Sequence, residues 1–172
     1  KKVIAALTPP MTDAKIGKVA HNAKYDYIML ARYGFVVAPL TFDTMLAEFV
    51  VDPSSRNMGL KNLAFARLGV EMTHIEELIG KGKKQISMGE VAIESAAPYA
   101  AADAESTLRL LPIMQAEIKR VHGEKLLDEI DMPLTTVLAD MEMTGVLLDL
   151  PFFLMGDAGW EQPHHVVDGR VP

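Results

Sequence analysis

Hydrophobic positions along the 172-residue chain recur mostly every three or four residues, which predicts a largely helical protein with strands confined to short pieces. Residues 12–17 resemble a helix end, with Thr12 or Asp13 able to cap and Gly17 able to stop it. Lys18-Val19-Ala20 reads as a short strand, and Asn22 to Tyr33 as a helix ended by Gly34. Phe35 to Ala38 predicts a second strand, stopped by Pro39. Asp43 to Val51 reads as a buried helix, because Met45, Leu46, Phe49 and Val50 keep helical spacing; Asp52-Pro53-Ser54-Ser55 closes it as a loop.

The same period continues from Gly59 to Gly69, and Thr73 is placed to cap a short helix over Ile75, Leu78 and Ile79. Gly80 to Lys84 predicts a flexible basic loop. Met88 to Ala97 is helical in pattern, with Pro98 as a first-turn residue of a long helix running to about His122. Residues 125–144 form another amphipathic stretch ended by Gly145, followed by the extended run Val146-Leu147-Leu148. From Pro151 to Pro172 the period is lost, which predicts a poorly ordered tail.

Composition narrows the chemistry. With 49% hydrophobic and 23% charged residues the chain falls among ordinary globular proteins. It has no cysteine, which excludes disulfides, thiolate metal sites and thiol catalysis, so any metal must take oxygen or nitrogen ligands. Arg32 interrupts the most apolar region, and only five apolar residues follow Lys1-Lys2 before Thr8-Pro9-Pro10; no membrane span or signal peptide is predicted, and a soluble, cytoplasmic protein is expected. The Lys1-Lys2 opening predicts a start inside a larger protein. The net charge of -6 hides an asymmetry: residues 1–84 carry 12 Lys/Arg against 8 Asp/Glu, and residues 85–172 carry 5 against 15. Acidic groups gathered in one half either collect metal or solvate helices, and their positions decide which.

Two clusters carry the candidate chemistry. His21-Asn22-Ala23-Lys24-Tyr25-Asp26 lies where a strand passes into a helix, and Asp26 taken alone reads as a first-turn acid favoured by the helix dipole. Tyr99-Ala100-Ala101-Ala102-Asp103 sets a phenol and a carboxylate one turn apart on a single helix face, with alanines leaving room between them. A carboxylate can hold a hard divalent cation and a neighbouring phenol can orient a water; the plainer alternative is a Tyr/Ala stripe in the core with Asp103 solvated. His21 and His74 read as surface or packing residues, and His164-His165 lack a third ligand.

In order along the chain, N-x-x-x-Y-D at Asn22 to Asp26, Phe42 to Leu46, Gly80 to Gln85, Y-x-x-x-D at Tyr99 to Asp103, and Met132-Pro133-Leu134 resemble the 3′-5′ proofreading exonuclease domain of bacterial family A DNA polymerases. Met141 to Val146 with Asp149 resembles the first part of the polymerase region. The resemblance implies an α/β, ribonuclease H-like exonuclease fold and a two-metal phosphodiester hydrolase using Mg or Mn. Asp103 would be a direct metal ligand, Asp26 would support the second metal, Tyr99 would hydrogen-bond the attacking water, and Asn22 and Tyr25 would lie beside the 3′-terminal nucleotide. Implied partners are a single-stranded DNA 3′ end and the polymerase domain of the same, monomeric, parent chain. The basic loop Gly80 to Lys84 would touch the DNA backbone.

One departure stands out. The resemblance implies a first motif, D-x-E on an opening strand, that supplies two further carboxylates, and none precedes Asn22. Asp103-Ala-Glu105 and Asp140-Met-Glu142 have that spacing, but on helices, where side chains two apart point about 200° apart. The expectation is therefore an N-terminally truncated exonuclease domain over residues 1–124, mostly helical because its first strands are missing. The start of the polymerase region follows over 125–150, and a divergent tail over 151–172. The isolated chain is expected to be inactive. The alternatives are a lapsed exonuclease-like module that holds DNA or acts as a spacer, and an RNA-trimming exonuclease sharing the motifs.

Overall fold

The computed structural model describes residues 2–148, so the tail expected from Pro151 onwards lies outside the described residues. Helix α1 (Lys2–Thr12) leads to strand β1 (Lys18–Ala20), helix α2 (Ala23–Arg32) and strand β2 (Leu40–Asp43). The two strands pair in parallel, with Val19 opposite Phe42 and Ala20 opposite Asp43. Helices α3 (Thr44–Val51), α4 (Leu60–Leu68) and α5 (Ile75–Ile79) precede the 28-residue α6 (Ile93–Arg120). A turn of α7 (Glu124–Leu126) runs through a π-helical turn (Leu127–Asp131) into α8 (Met132–Thr144). The mostly helical α/β character matches the expected fold class.

The core forms where α3 and α4 pack on α6, with α6 also against β1: Leu63, Leu110 and Met114 are fully buried among Phe42, Ala47, Ile118, Leu127 and Met132. Gly123 lets the chain turn back from α6 to α7, because a Cβ there would lie 2.6 Å from Val50 Cγ1. Helix α8 packs on α2, and the Lys24 ammonium pairs with the Glu142 carboxylate across that contact.

Four local expectations are corrected. The strand predicted at Phe35 to Ala38 lies instead at Leu40–Asp43. Phe35 and Val37 do alternate with the exposed Val36, but Ala38 N–H donates to Met11 O at 3.1 Å and Ala38 O accepts from Lys18 Nζ at 2.6 Å. Those partners satisfy the Ala38 backbone, so the β1 ladder begins only beyond it. The cap of α5 is His74, not Thr73. Residues 88–90 form a single 3₁₀ turn, and Pro98 lies inside α6 rather than opening the long helix. The buried face of α3 is Thr44, Ala47 and Glu48, whereas Phe49 is exposed.

Glu48 is buried because it is paired. Arg67 of α4 donates to Glu48 Oε2 at 2.8 Å and Ser55 Oγ donates to Oε1 at 2.7 Å, which compensates the charge and ties α3 to α4.

Candidate active site

The residue that holds the first turn of α2 in place is Asp43, which is 1% exposed. As the N-cap of α3 its Oδ1 accepts the N–H groups of Met45 and Leu46, at 2.8 and 3.3 Å. The same carboxylate reaches the start of α2, taking the N–H of Asn22 at 3.1 Å on Oδ1 and that of Ala23 at 2.6 Å on Oδ2. Two helix N-termini, each with orphan donors, are thus closed by one anion. Asn22 makes no side-chain cap bond, and its φ of 63° falls in the left-handed region that asparagine tolerates better than other side chains.

This anchoring aims the first turn of α2 at α6. Asp26 and Asp103, 77 positions apart in sequence, line one cleft of about 580 Å³ together with Val19, His21, Ala100 and Thr107. Tyr99 lines a smaller adjoining cavity of about 130 Å³ whose wall also includes Asp103. Asn22 and Tyr25 are exposed and do not line the cleft; Tyr25 is 61% exposed.

The cleft raises the carboxyl pKa of both aspartates. For Asp26, which keeps much of its surface exposed, the cause is first partial burial against the cleft walls and second the Asp43 carboxylate. For Asp103 burial again comes first, opposed by the Lys61 ammonium and, when its ring is protonated, by His21. A divalent cation beside either carboxylate would offset the penalty that burial places on its charge.

Hard oxygen donors and open space beside them fit Mg or Mn, which take one or two protein carboxylates and complete their shell with water and substrate phosphate. Among the described residues no group of three or more His, Asp and Glu is gathered closely enough to hold a metal by itself. The donors that line the cleft suit an open site of that kind rather than a closed cage.

Two further residues that sequence motifs do not single out bear on the site, His21 in the cleft wall and Lys61 through Tyr99. His21 Nε2 lies 2.8 Å from Met58 O, an atom that only accepts, so the ring proton is on Nε2. Nδ1 is then left to accept from Thr44 Oγ1 at 2.9 Å. Burial lowers the His21 pKa against the opposing pull of Asp43, the Met58 hydrogen bond and Asp103, which keeps the ring neutral. His21 is therefore a packed, hydrogen-bonded histidine that also faces the cleft.

The second is Lys61 of α4. Its ammonium lies 4.5 Å from the Tyr99 ring centroid, donates to Tyr99 Oη at 3.3 Å, and donates to the carbonyl of Thr73. A lysine in the first turn of a helix opposes the helix dipole, and that mismatch was the available signal.

Comparison with known proteins gives this geometry its context. A family model described as 3′-5′ exonuclease matches residues 1–119, which takes in both motifs and both cleft aspartates. The chain is 45% identical over 151 residues to the DNA polymerase I of Chloroflexus aurantiacus and 38% identical over 150 residues to that of Pseudomonas aeruginosa. Each match covers 86% of this chain, and the chain spans 16% of the length of those relatives. A solved structure, the POL domain of Pol1 from M. smegmatis in complex with DNA primer-template and dNTP, aligns over 90% of this chain and 24% of that one, with a TM-score of 0.73 and 26% identity. Among the described residues no helix is long and apolar enough to cross a membrane. With the family model covering both aspartates and the tyrosine that the fold brings to one place, the chain belongs to the 3′-5′ exonuclease domain family of the family A DNA polymerases.

Proposed function

We propose that this chain contributes the 3′-end-hydrolysing site of a DNA polymerase I, removing nucleotides from a single-stranded DNA 3′ end as a proofreading step. The observation that carries the reading is the convergence of Asp26 from α2 and Asp103 from α6 on one cleft, with Tyr99 one helical turn from Asp103. Solvation of helix faces alone gives no reason for two carboxylates to line one cleft where their ionisation is disfavoured.

In this reading Asp103 and Asp26 hold divalent cations through their carboxylate oxygens. When bound, such cations supply an activated water and neutralise charge on the scissile phosphate. Tyr99 Oη accepts from Lys61, which leaves the phenol O–H to donate to the attacking water and fix its position. Asn22 and Tyr25, exposed at the start of α2, would flank the terminal nucleotide, with the Tyr25 ring offering a stacking face. The exposed Lys81, Lys83 and Lys84 would neutralise backbone phosphates. Among the described residues two carboxylates line the cleft, where the two-metal chemistry draws on four, so this chain on its own should bind a cation yet show little or no digestion of DNA.

The test is a Mn²⁺ titration of this chain with ring-¹³C tyrosine, followed by NMR. Paramagnetic broadening of the Tyr99 ring signal, identified by its loss in Tyr99→Phe, should appear in the wild type and vanish in the Asp26→Asn/Asp103→Asn double variant. Equal broadening in both proteins, or none in the wild type, overturns the reading.

A further inference from the structure

We infer that Lys61 is a positioning residue for Tyr99: its ammonium fixes the phenol beside Asp103 by clamping both the ring face and the hydroxyl oxygen. The inference deepens the nuclease reading and depends on it for its functional meaning. Three geometric facts support it. The ammonium stands 4.5 Å from the Tyr99 ring centroid, within the range of a cation–π contact. It also donates to Tyr99 Oη at 3.3 Å, so one group restrains the tyrosine both through its face and at its tip. Its other partner is the carbonyl of Thr73, in the segment that enters α5. Lys61 thereby bridges three separate parts of the chain: α4, the approach to α5, and α6.

The placement is costly unless it does something. Position 61 is in the first turn of α4, where the helix dipole disfavours a positive charge. A carboxylate or neutral residue would suit that helix end better, so the lysine is explained by what it touches rather than by the helix it belongs to. An ammonium has three N–H donors; Thr73 O and Tyr99 Oη take two, and the third has no partner among the described residues. The consequence for the reaction is orientation. Tyr99 has two soft side-chain torsions, and holding ring and hydroxyl together removes the freedom that would let the O–H point away from the water it must orient.

The test uses this chain with ring-¹³C tyrosine in the absence of metal and DNA. Of the four tyrosine ring signals, Tyr99 is assigned by Tyr99→Phe. Lys61→Met keeps the aliphatic stem and removes the charge; it should shift the Tyr99 signal and leave those of Tyr25, Tyr27 and Tyr33 in place. Lys61→Arg restores a cation over the ring and should return the Tyr99 signal most of the way to its wild-type position, with circular dichroism verifying that both variants are folded. A Tyr99 signal that stays put in Lys61→Met, or one that moves equally in Lys61→Arg and Lys61→Met, overturns the assignment. Because this readout involves no metal, its failure leaves the Mn²⁺ result at Asp26 and Asp103 standing, and failure of the Mn²⁺ result leaves the clamp standing.

Discussion

Asp43 Oδ2 accepts the backbone N–H of Ala23 at 2.6 Å, so the N-cap of α3 is at the same time the cap of α2, twenty residues earlier. The pairing makes the orientation of α2, and with it the placement of Asp26, depend on a residue that lies outside the cleft lining. Asp43→Ala removes four accepted N–H bonds at two helix ends, and at about 1–2 kcal/mol for each lost cap the chain should lose about 2–4 kcal/mol. Asp43→Asn keeps one acceptor oxygen but turns an NH₂ towards the Ala23 N–H, at a cost of about 1–3 kcal/mol. Urea unfolding midpoints at constant m-value measure both; an Asn variant as stable as the wild type would refute the shared cap.

Arg67 and Glu48 lead to a second stability prediction. The Glu48 side chain is 3% exposed and the Arg67 side chain 26%, so Arg67→Met strands a carboxylate in the core with only Ser55 for company. The expected loss is about 3–5 kcal/mol, and Glu48→Gln in the Arg67→Met background should recover part of it. A double-mutant cycle showing additive effects, within about 0.5 kcal/mol, would mean that the two side chains do not couple.

What was legible in the sequence follows the range of the forces involved. Helices α2 and α4 could be located because their apolar period and terminal glycines act within a few residues, and Gly69 closes α4 at φ 66°. The strand was misplaced because Phe35, Val36 and Val37 suit an extended backbone, while the choice of partner for β1 lay with Met11 and Lys18, far from that segment in sequence. The burial of Glu48 instead of Phe49 depends on Arg67, nineteen residues away, and no periodicity encodes that. Asp26, Tyr99 and Asp103 were marked by motif, yet their meeting depends on β1 packing against α6. Lys61 was missed because its partner Tyr99 is 38 residues further on.

His21 gives the protein an acid-sensitive contact. Burial is the main cause that lowers its pKa below the ordinary 6.5, so as the pH falls through about 6.5 the unfolded chain takes up a proton that the folded protein resists. The contribution of the neutral ring, donating to Met58 O and accepting from Thr44 Oγ1, is complete above that pH and is lost progressively below it. The melting temperature should therefore drop between pH 7 and pH 5, and His21→Gln should flatten that drop while lowering stability at pH 7. A wild-type profile parallel to that of the variant across this range would exclude the role.

Asp26 and Asp103 act in the opposite sense. Their folded-state pKa values are raised from the ordinary 3.8, for both chiefly by burial, so the folded protein holds protons there more tightly than the unfolded chain does. Stability is lost as the pH rises from 3.8 through the raised values, and the full cost is borne above them. Asp26→Asn and Asp103→Asn should each raise the melting temperature at pH 7, with the gain disappearing at pH 3.8 and below. Divalent cation should reverse the order: at ten times its dissociation constant, Mn²⁺ adds about 1.4 kcal/mol to the wild type by mass action and nothing to a variant that has lost the site. Differential scanning calorimetry at pH 7, with and without Mn²⁺, reads both effects on the same samples. Metal-free Asn variants no more stable than the wild type would show that the cleft imposes no electrostatic strain. Equal Mn²⁺ stabilisation of wild type and variants would place the cation elsewhere on the chain.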